Sequence, residues 1–185
     1  MSDPVTALKN ATANGPVTVS ETGPHGMLTL RGKLDDAGIA KAIQTATGTA
    51  APEARKMSAN GDTSVLWLSP DEAMVICPRA DLKSVQEKLT SALGSAHALV
   101  ADMSDARATF RISGDDAHVR EVMARLIPVD MSTFEVGEVR RTRMAQIAAA
   151  NWMPEAGVVQ LVCFRSVAQY AFDLLKDAAA SPRVF

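Results

Sequence analysis

The chain of 185 residues has two cysteines, three histidines and a net charge of only −2, with an isoelectric point near 5.9. Each scarcity removes a class of function. Cys77 and Cys163 sit in apolar runs and form no CxxC pair, so they read as buried free thiols of a cytoplasmic protein. His25, His97 and His118 are scattered, and none has a second ligand at metal spacing, which argues against a zinc or iron site. A balance close to neutral gives no long-range pull toward phosphates, so nucleic-acid binding is not expected. No apolar run approaches the roughly 18 residues a membrane helix needs, and "MSDPVTALKN" has neither a basic nor an apolar signal region. The glycines form no G-x-G-x-x-G and no phosphate loop, and no G-x-S-x-G elbow occurs.

What is present is a core-forming composition. Hydrophobic residues make up 47%, and a folded chain of this length buries about 70% of its extended surface without a metal or disulfide. Residues 1–25 read as an N-terminal arm carrying an edge strand, "VTVSE" at 17–21, and residues 26–185 as one α+β domain of two halves, about 26–96 and 97–180. "MLTLRG" alternates as a half-buried strand. Asp35 or Asp36 then caps a helix whose inner stripe is Ile39, Ala42, Ile43 and Ala46, with Gly48 as its stop. "SVLWLSPDEAMVIC" is a hairpin around Ser69-Pro70-Asp71-Glu72, and "DLKSVQEKL" a second helix. In the second half, "HALVADMS" and "ARATFRISG" are expected to pair as strands, followed by a helix with Val119, Val122, Met123 and Leu126 inward. "VGEVRRTRMAQIAAANW" reads as extended, "PEAGVVQLVCF" as its hairpin return, and Ser166 to Ala179 as a helix packing Tyr170, Ala171, Leu174 and Leu175.

Two echoes link the halves: "DDAGIAKAI" at 35–43 with "DDAHVREVM" at 115–123, and "WLSPDEAMVICPR" with "WMPEAGVVQLVCFR". They imply duplicated βαββα units related by a pseudo-twofold, with Trp67 and Trp152 at matching core positions. Asp35, Asp36, Asp115 and Asp116 look like acid–base carboxylates, but their place at helix starts makes them caps. Arg140, Arg141 and Arg143 form the densest basic run. In a strand, Arg141 and Arg143 share a face where they can grip a phosphate or a partner's carboxylates. Residues 1–16 offer only Val5 and Leu8 as large apolar groups, so this segment is expected to order against a partner. Val5, Leu8, Arg141 and Arg143 are therefore the candidate interface. No catalytic, cofactor-binding or metal-binding residue emerges.

From "DMSDARATFRISGDDAHVREVMARL" (102–126) a family likeness becomes visible, and "MLTLRG", "VLWLSPDE" and "FRSVAQYAFDLL" carry it along the chain from about Val5 to Ala180. The sequence resembles the folate-binding aminomethyltransferase (T-protein) superfamily and, within it, the gamma subunits of heterotetrameric sarcosine oxidase. The resemblance implies that superfamily's core fold and a non-catalytic, structural subunit of a flavoenzyme complex that demethylates sarcosine to glycine. It further implies alpha, beta and delta partner subunits, with FAD, FMN, NAD, zinc and tetrahydrofolate carried there and none on this chain. One departure stands out. Where aminomethyltransferases hold the pterin with acids, this chain has "QIAAANW", with Ala148, Ala149 and Ala150, which supply no charge-assisted hydrogen bonds. The other readings are a stand-alone folate-binding aminomethyltransferase-like or tRNA-modification protein, and the matching subunit of an N-methylglutamate dehydrogenase.

Overall fold

The computed structural model describes residues 3–182. In chain order the elements are β1 (Thr12–Ala13), β2 (Val17–Thr22), β3 (His25–Arg31), α1 (Ala37–Thr47), β4 (Met57–Asn60), β5 (Thr63–Ser69), β6 (Glu72–Pro78), α2 (Leu82–Leu93) and β7 (Leu99–Asp102). They continue with β8 (Arg107–Gly114), α3 (Asp116–Leu126), β9 (Val139–Met144), β10 (Ile147–Glu155), β11 (Val158–Phe164) and α4 (Ala168–Ala180). The chain forms two compact units, one from Pro24 to Ser104 and one joining the residues up to Gly23 with those from Asp105 onward. Each unit is α+β with an antiparallel sheet.

The unit Pro24–Ser104 orders its strands β4-β5-β6-β3-β7. Alternation in β3 turns Leu28 and Leu30 toward the helices, where they meet Val75 and Cys77 of β6, Ile39 and Ile43 of α1, and Leu89 of α2. Each such side chain, fully buried, contributes about 1.5–3 kcal/mol. Asp36 accepts N–H bonds from Gly38 (2.7 Å) and Ile39 (3.2 Å), and Gly48 closes α1 at φ 72°. The expected hairpin forms between β5 and β6, with Pro70 and Asp71 at its turn.

The other unit orders its strands β1-β2-β8-β11-β10-β9. Its core joins Val19 of β2, Phe110 and Ile112 of β8, Leu161 and Cys163 of β11, Val119 and Val122 of α3, and Leu175 of α4. Phe110 and Phe172 place their rings 6.2 Å apart. Asp115 caps α3 through Ala117 and His118 N–H groups. Both cap assignments made from the two aspartate pairs therefore hold.

Four expectations are corrected here. "HALVADMS" does not pair with "ARATFRISG". Strand β7 lies against β3, and the Ser104 hydroxyl fixes that end by accepting Met27 N–H at 2.9 Å and donating to Asp102. The free side of β8 is taken instead by β2, with Thr22 opposite Thr109. The run expected as one extended stretch turns at Ala145 and Gln146, because Ala145 adopts φ 48° and donates its N–H to Leu126 O. Tyr170 points outward, and Phe172 takes the inward place in α4.

The fourth correction concerns the tryptophans. Cys77 and Cys163 occupy the same place, each on the strand that pairs with both its hairpin partner and the first long strand. Counting back through the hairpins, Trp67 stands opposite Ala73, whereas Trp152 stands opposite Gln160, one residue out of step. A one-residue slip in a strand reverses the face. Trp67 thus lies half-buried on the helix-covered face of its sheet, and Trp152 is buried on the opposite face of the other sheet.

Candidate functional site

The N-terminal segment is not a loose arm. Glu21, only 5% exposed, receives the N–H groups of Leu8 and Asn10 at 3.0 Å, and Glu21 N–H returns to Ala11 O. Arg165 binds the carbonyls of Val5 (2.9 Å) and Thr6 (3.1 Å). Leu8 therefore packs on the core of its own unit, while Val5 stays 63% exposed. Few large apolar groups did not mean disorder, because charge-assisted hydrogen bonds hold the backbone.

The basic run divides as alternation requires. Strand β9 is the outermost of its sheet, and Arg141 and Arg143 are exposed on one face, opposite Ala150 and Ala148 of β10. Arg140 turns the other way, binds Glu138 at 3.0 Å and lies over the Phe134 ring at 5.5 Å. Arg141 and Arg143 thus share a face, whereas Val5 and Leu8 part company.

Sequence reasoning missed several exposed apolar side chains. Phe164, at 45% exposure, ends β11 with the Arg107 guanidinium 4.0 Å above its ring, and Leu99, at 58%, opens on the edge strand β7. Strand alternation around Cys163 could have flagged Phe164. Nothing local flags Leu99.

The two cysteines are suppressed, and Asp36, Asp115 and Asp116 are committed. Burial pushes the Cys77 thiol up to about 11 and the Cys163 thiol up to about 12, so both stay protonated and poorly nucleophilic near neutrality. Asp36 and Asp115 are spent on helix amides, and Asp116 on Arg120 (2.6 Å) and Gly157 N–H (2.8 Å). Among the described residues no group of three His, Cys, Asp or Glu is placed to hold a metal, and no helix is long and apolar enough to cross a membrane. Within β10, Ala149 and Ala150 are paired on both sides and Ala148 with Arg143 of β9, and none of the three brings a carboxylate.

One buried polar group stands apart. Asn151 is 0% exposed, faces the helix-covered core between Ala149 and Met153, and has neither amide atom partnered among the described residues. Val65 holds the same register in the other sheet. An unpaired buried amide costs about 1–3 kcal/mol. Asn151→Val is therefore expected to raise the unfolding free energy by about that amount, read as a higher urea midpoint at unchanged slope. A lowered midpoint would show that the amide is partnered after all.

Three comparisons bear on these features. The model of the "Sarcosine oxidase, gamma subunit family" matches residues 31–181. The chain is 29% identical over 150 residues to sarcosine oxidase subunit gamma of an Arthrobacter species, spanning 79% of this chain and 71% of the relative. The same figures hold for the subunit gamma of Corynebacterium sp. strain P-1. Among solved structures, heterotetrameric sarcosine oxidase from Corynebacterium sp. U-96, in complex with pyrrole 2-carboxylate, superposes with TM-score 0.80 at 24% identity, covering 94% of this chain and 91% of that one. Aminomethyltransferase T of the glycine cleavage system of Bartonella henselae gives 0.66 at 10% identity, over 93% of this chain and 50% of the other. At those identities both structures speak to the fold alone.

Proposed function

Because the chain belongs to the sarcosine oxidase gamma subunit family, we propose that it is the gamma-type subunit of a heterotetrameric sarcosine oxidase that demethylates sarcosine to glycine. The family match across residues 31–181 carries this reading. The chain's part is to bind and hold the alpha, beta and delta subunits. FAD, FMN, NAD, zinc and tetrahydrofolate are assigned to those partners. The protonated thiols and the carboxylates already spent on helix ends support a non-catalytic role. The alanines of β10 weigh against a folate-dependent transferase acting alone.

We also infer that the two units descend from one duplicated βαββα element. The matching orders β4-β5-β6-β3-β7 and β9-β10-β11-β8-β2 support this, as do the caps at Asp36 and Asp115.

Co-expression with the genes for the other three subunits, followed by capture through a tag on this chain, tests the function. The expected result is a retained assembly that releases peroxide on adding sarcosine, while the isolated chain is colourless and inert. A flavin spectrum or sarcosine-dependent peroxide from the isolated chain overturns the non-catalytic reading, and capture of no subunit overturns the complex.

A further inference from the structure

The two sheets differ at one edge. In the sheet of β8, the strand β2 is covered on its outer side by β1, and Ala7, Leu8 and Ala11 of the N-terminal segment pack there on the core. In the sheet of β3, the corresponding neighbour is β7, and among the described residues no strand lies beyond it. The outward N–H and C=O groups of Leu99–Asp102 form an open edge, which folded proteins rarely leave uncovered beside apolar surface.

A groove of about 760 Å³ opens at the Leu99 end of this strand, where β3 leaves the sheet through Arg31, Gly32 and Lys33. Its floor is apolar, built from Ile39, Ala98 and Leu99, and Leu99 is 58% exposed. Gly32 lets these walls approach: a Cβ there would lie 2.7 Å from Ile39 Cδ1 and 3.2 Å from Ala98 Cβ.

The rim carries charge of both signs, but the signs are not equally available. Asp36 is engaged by the first N–H groups of α1. Asp71 accepts from Ser69 at 2.5 Å and from Arg31 at 3.4 Å. On the cationic side, Lys33 is 82% exposed and reaches Asp35 only at 3.9 Å. Lys33 is thus the rim charge least engaged within its own unit.

We propose that an extended segment of another subunit of the complex pairs along the outer edge of β7 and runs past its Leu99 end into this groove, apolar along the floor and bearing a carboxylate against Lys33. The segment adds to the sheet as the strand beyond β7, as β1 does beyond β2. Backbone hydrogen bonds to the edge supply affinity, and the Leu99 floor and Lys33 supply selectivity. The proposal rests on the gamma-subunit reading and names the surface through which it acts.

The test uses the co-expressed complex with wild-type chain, Leu99→Asp, Lys33→Glu, and Tyr170→Asp as a control at an exposed apolar residue of α4. Both Leu99 and Lys33 are exposed, so the free variants are expected to melt as the wild type does. In the wild-type complex, the amides of β7 that point away from β3 should gain protection from hydrogen exchange. Leu99→Asp should weaken retention of the partner subunit by on the order of tenfold or more, Lys33→Glu by less, and Tyr170→Asp not at all. If the wild type assembles but those outward amides exchange as in the free chain, or Leu99→Asp assembles equally well, the docking surface lies elsewhere while the complex stands. Retention of no subunit by the wild type overturns both readings together. A doubling of mass for the isolated chain that Leu99→Asp abolishes makes the occupant a second copy and overturns the assignment to a partner subunit.

Discussion

Gly157→Ala should cost about 3 kcal/mol of stability, a fall of roughly 6–12 °C in melting temperature for a chain of this size. Gly157 turns the β10–β11 hairpin at φ 73°, a left-handed conformation that costs an L side chain about 1–2 kcal/mol. The larger problem is contact. A Cβ at this position would stand 2.6 Å from the carbonyl oxygen of Gly114, which is backbone and has no rotamer to yield. The same residue accepts Gly114 N–H at 3.1 Å and donates to Asp116 at 2.8 Å, so a shift of the turn loosens the end of β8 and the start of α3 together. Gly61 is the control, because it has φ 56° but nothing within 4 Å of its added Cβ. Gly61→Ala should lose only the conformational part, about 1–2 kcal/mol. Urea unfolding of the two variants side by side decides the matter: equal losses would mean that the Gly114 contact relaxes freely.

Arg120→Met should be comparably damaging, by about 3 kcal/mol, because it removes one side chain from four partners. From α3, Arg120 binds Asp116 at 2.6 Å and donates to the carbonyls of Met131 and of Phe134, the latter at 2.8 Å, with its remaining nitrogen 3.5 Å from Met153 Sδ. Met131 and Phe134 are buried, so their carbonyls lose a charged donor where water is scarce. Hydrogen exchange should rise across the connection between α3 and β9 in the variant.

Acid makes a second readout. The hydrogen bond from Arg120, followed by that from Gly157 N–H, holds the Asp116 carboxyl below its ordinary value. A carboxyl depressed on folding stabilises above its unfolded pKa of about 3.9, and this contribution fades as pH falls through the lower folded value. The wild type should therefore lose stability below about pH 4, and Arg120→Met should flatten that loss by removing its chief cause. Parallel acid curves for the two proteins would refute the link.

The parts of this fold legible in the sequence are those whose signal is local. The stripe Ile39, Ala42, Ile43 and Ala46, the Asp36 cap and the Pro70-Asp71 turn each lie within a few residues of what they specify. The neighbours of β7 and β8 were not legible, because alternating apolar strands look alike and the true pairs join Leu28 to Asp102 and Thr22 to Thr109. Ala145 turns a hairpin with no glycine, proline or asparagine to announce it. The Trp67–Trp152 echo misled for a related reason: strings match by letter, whereas strands match by parity. At the candidate interface, alternation alone placed Arg141 and Arg143 on one exposed face. The pinning of Leu8 depended on Glu21, thirteen residues away, and the groove at Leu99 on elements that meet only after folding.

The way β2 joins β8 has a consequence for synthesis. Residues 24–104 form one contiguous unit, whose strands and helices are all made before Asp105. The other unit is split, with Val17–Thr22 waiting on Arg107–Gly114 across 87 residues at the Thr22–Thr109 pair. During translation the early strand emerges first and has no sheet to enter until the late segment leaves the ribosome. Closing so long a loop costs only slowly growing entropy once its interior has already collapsed. A segment made early is thus among the last to be seated. For that interval Val17 and Val19, both destined for the core, stay exposed to whatever else in the cell accepts an unpaired strand.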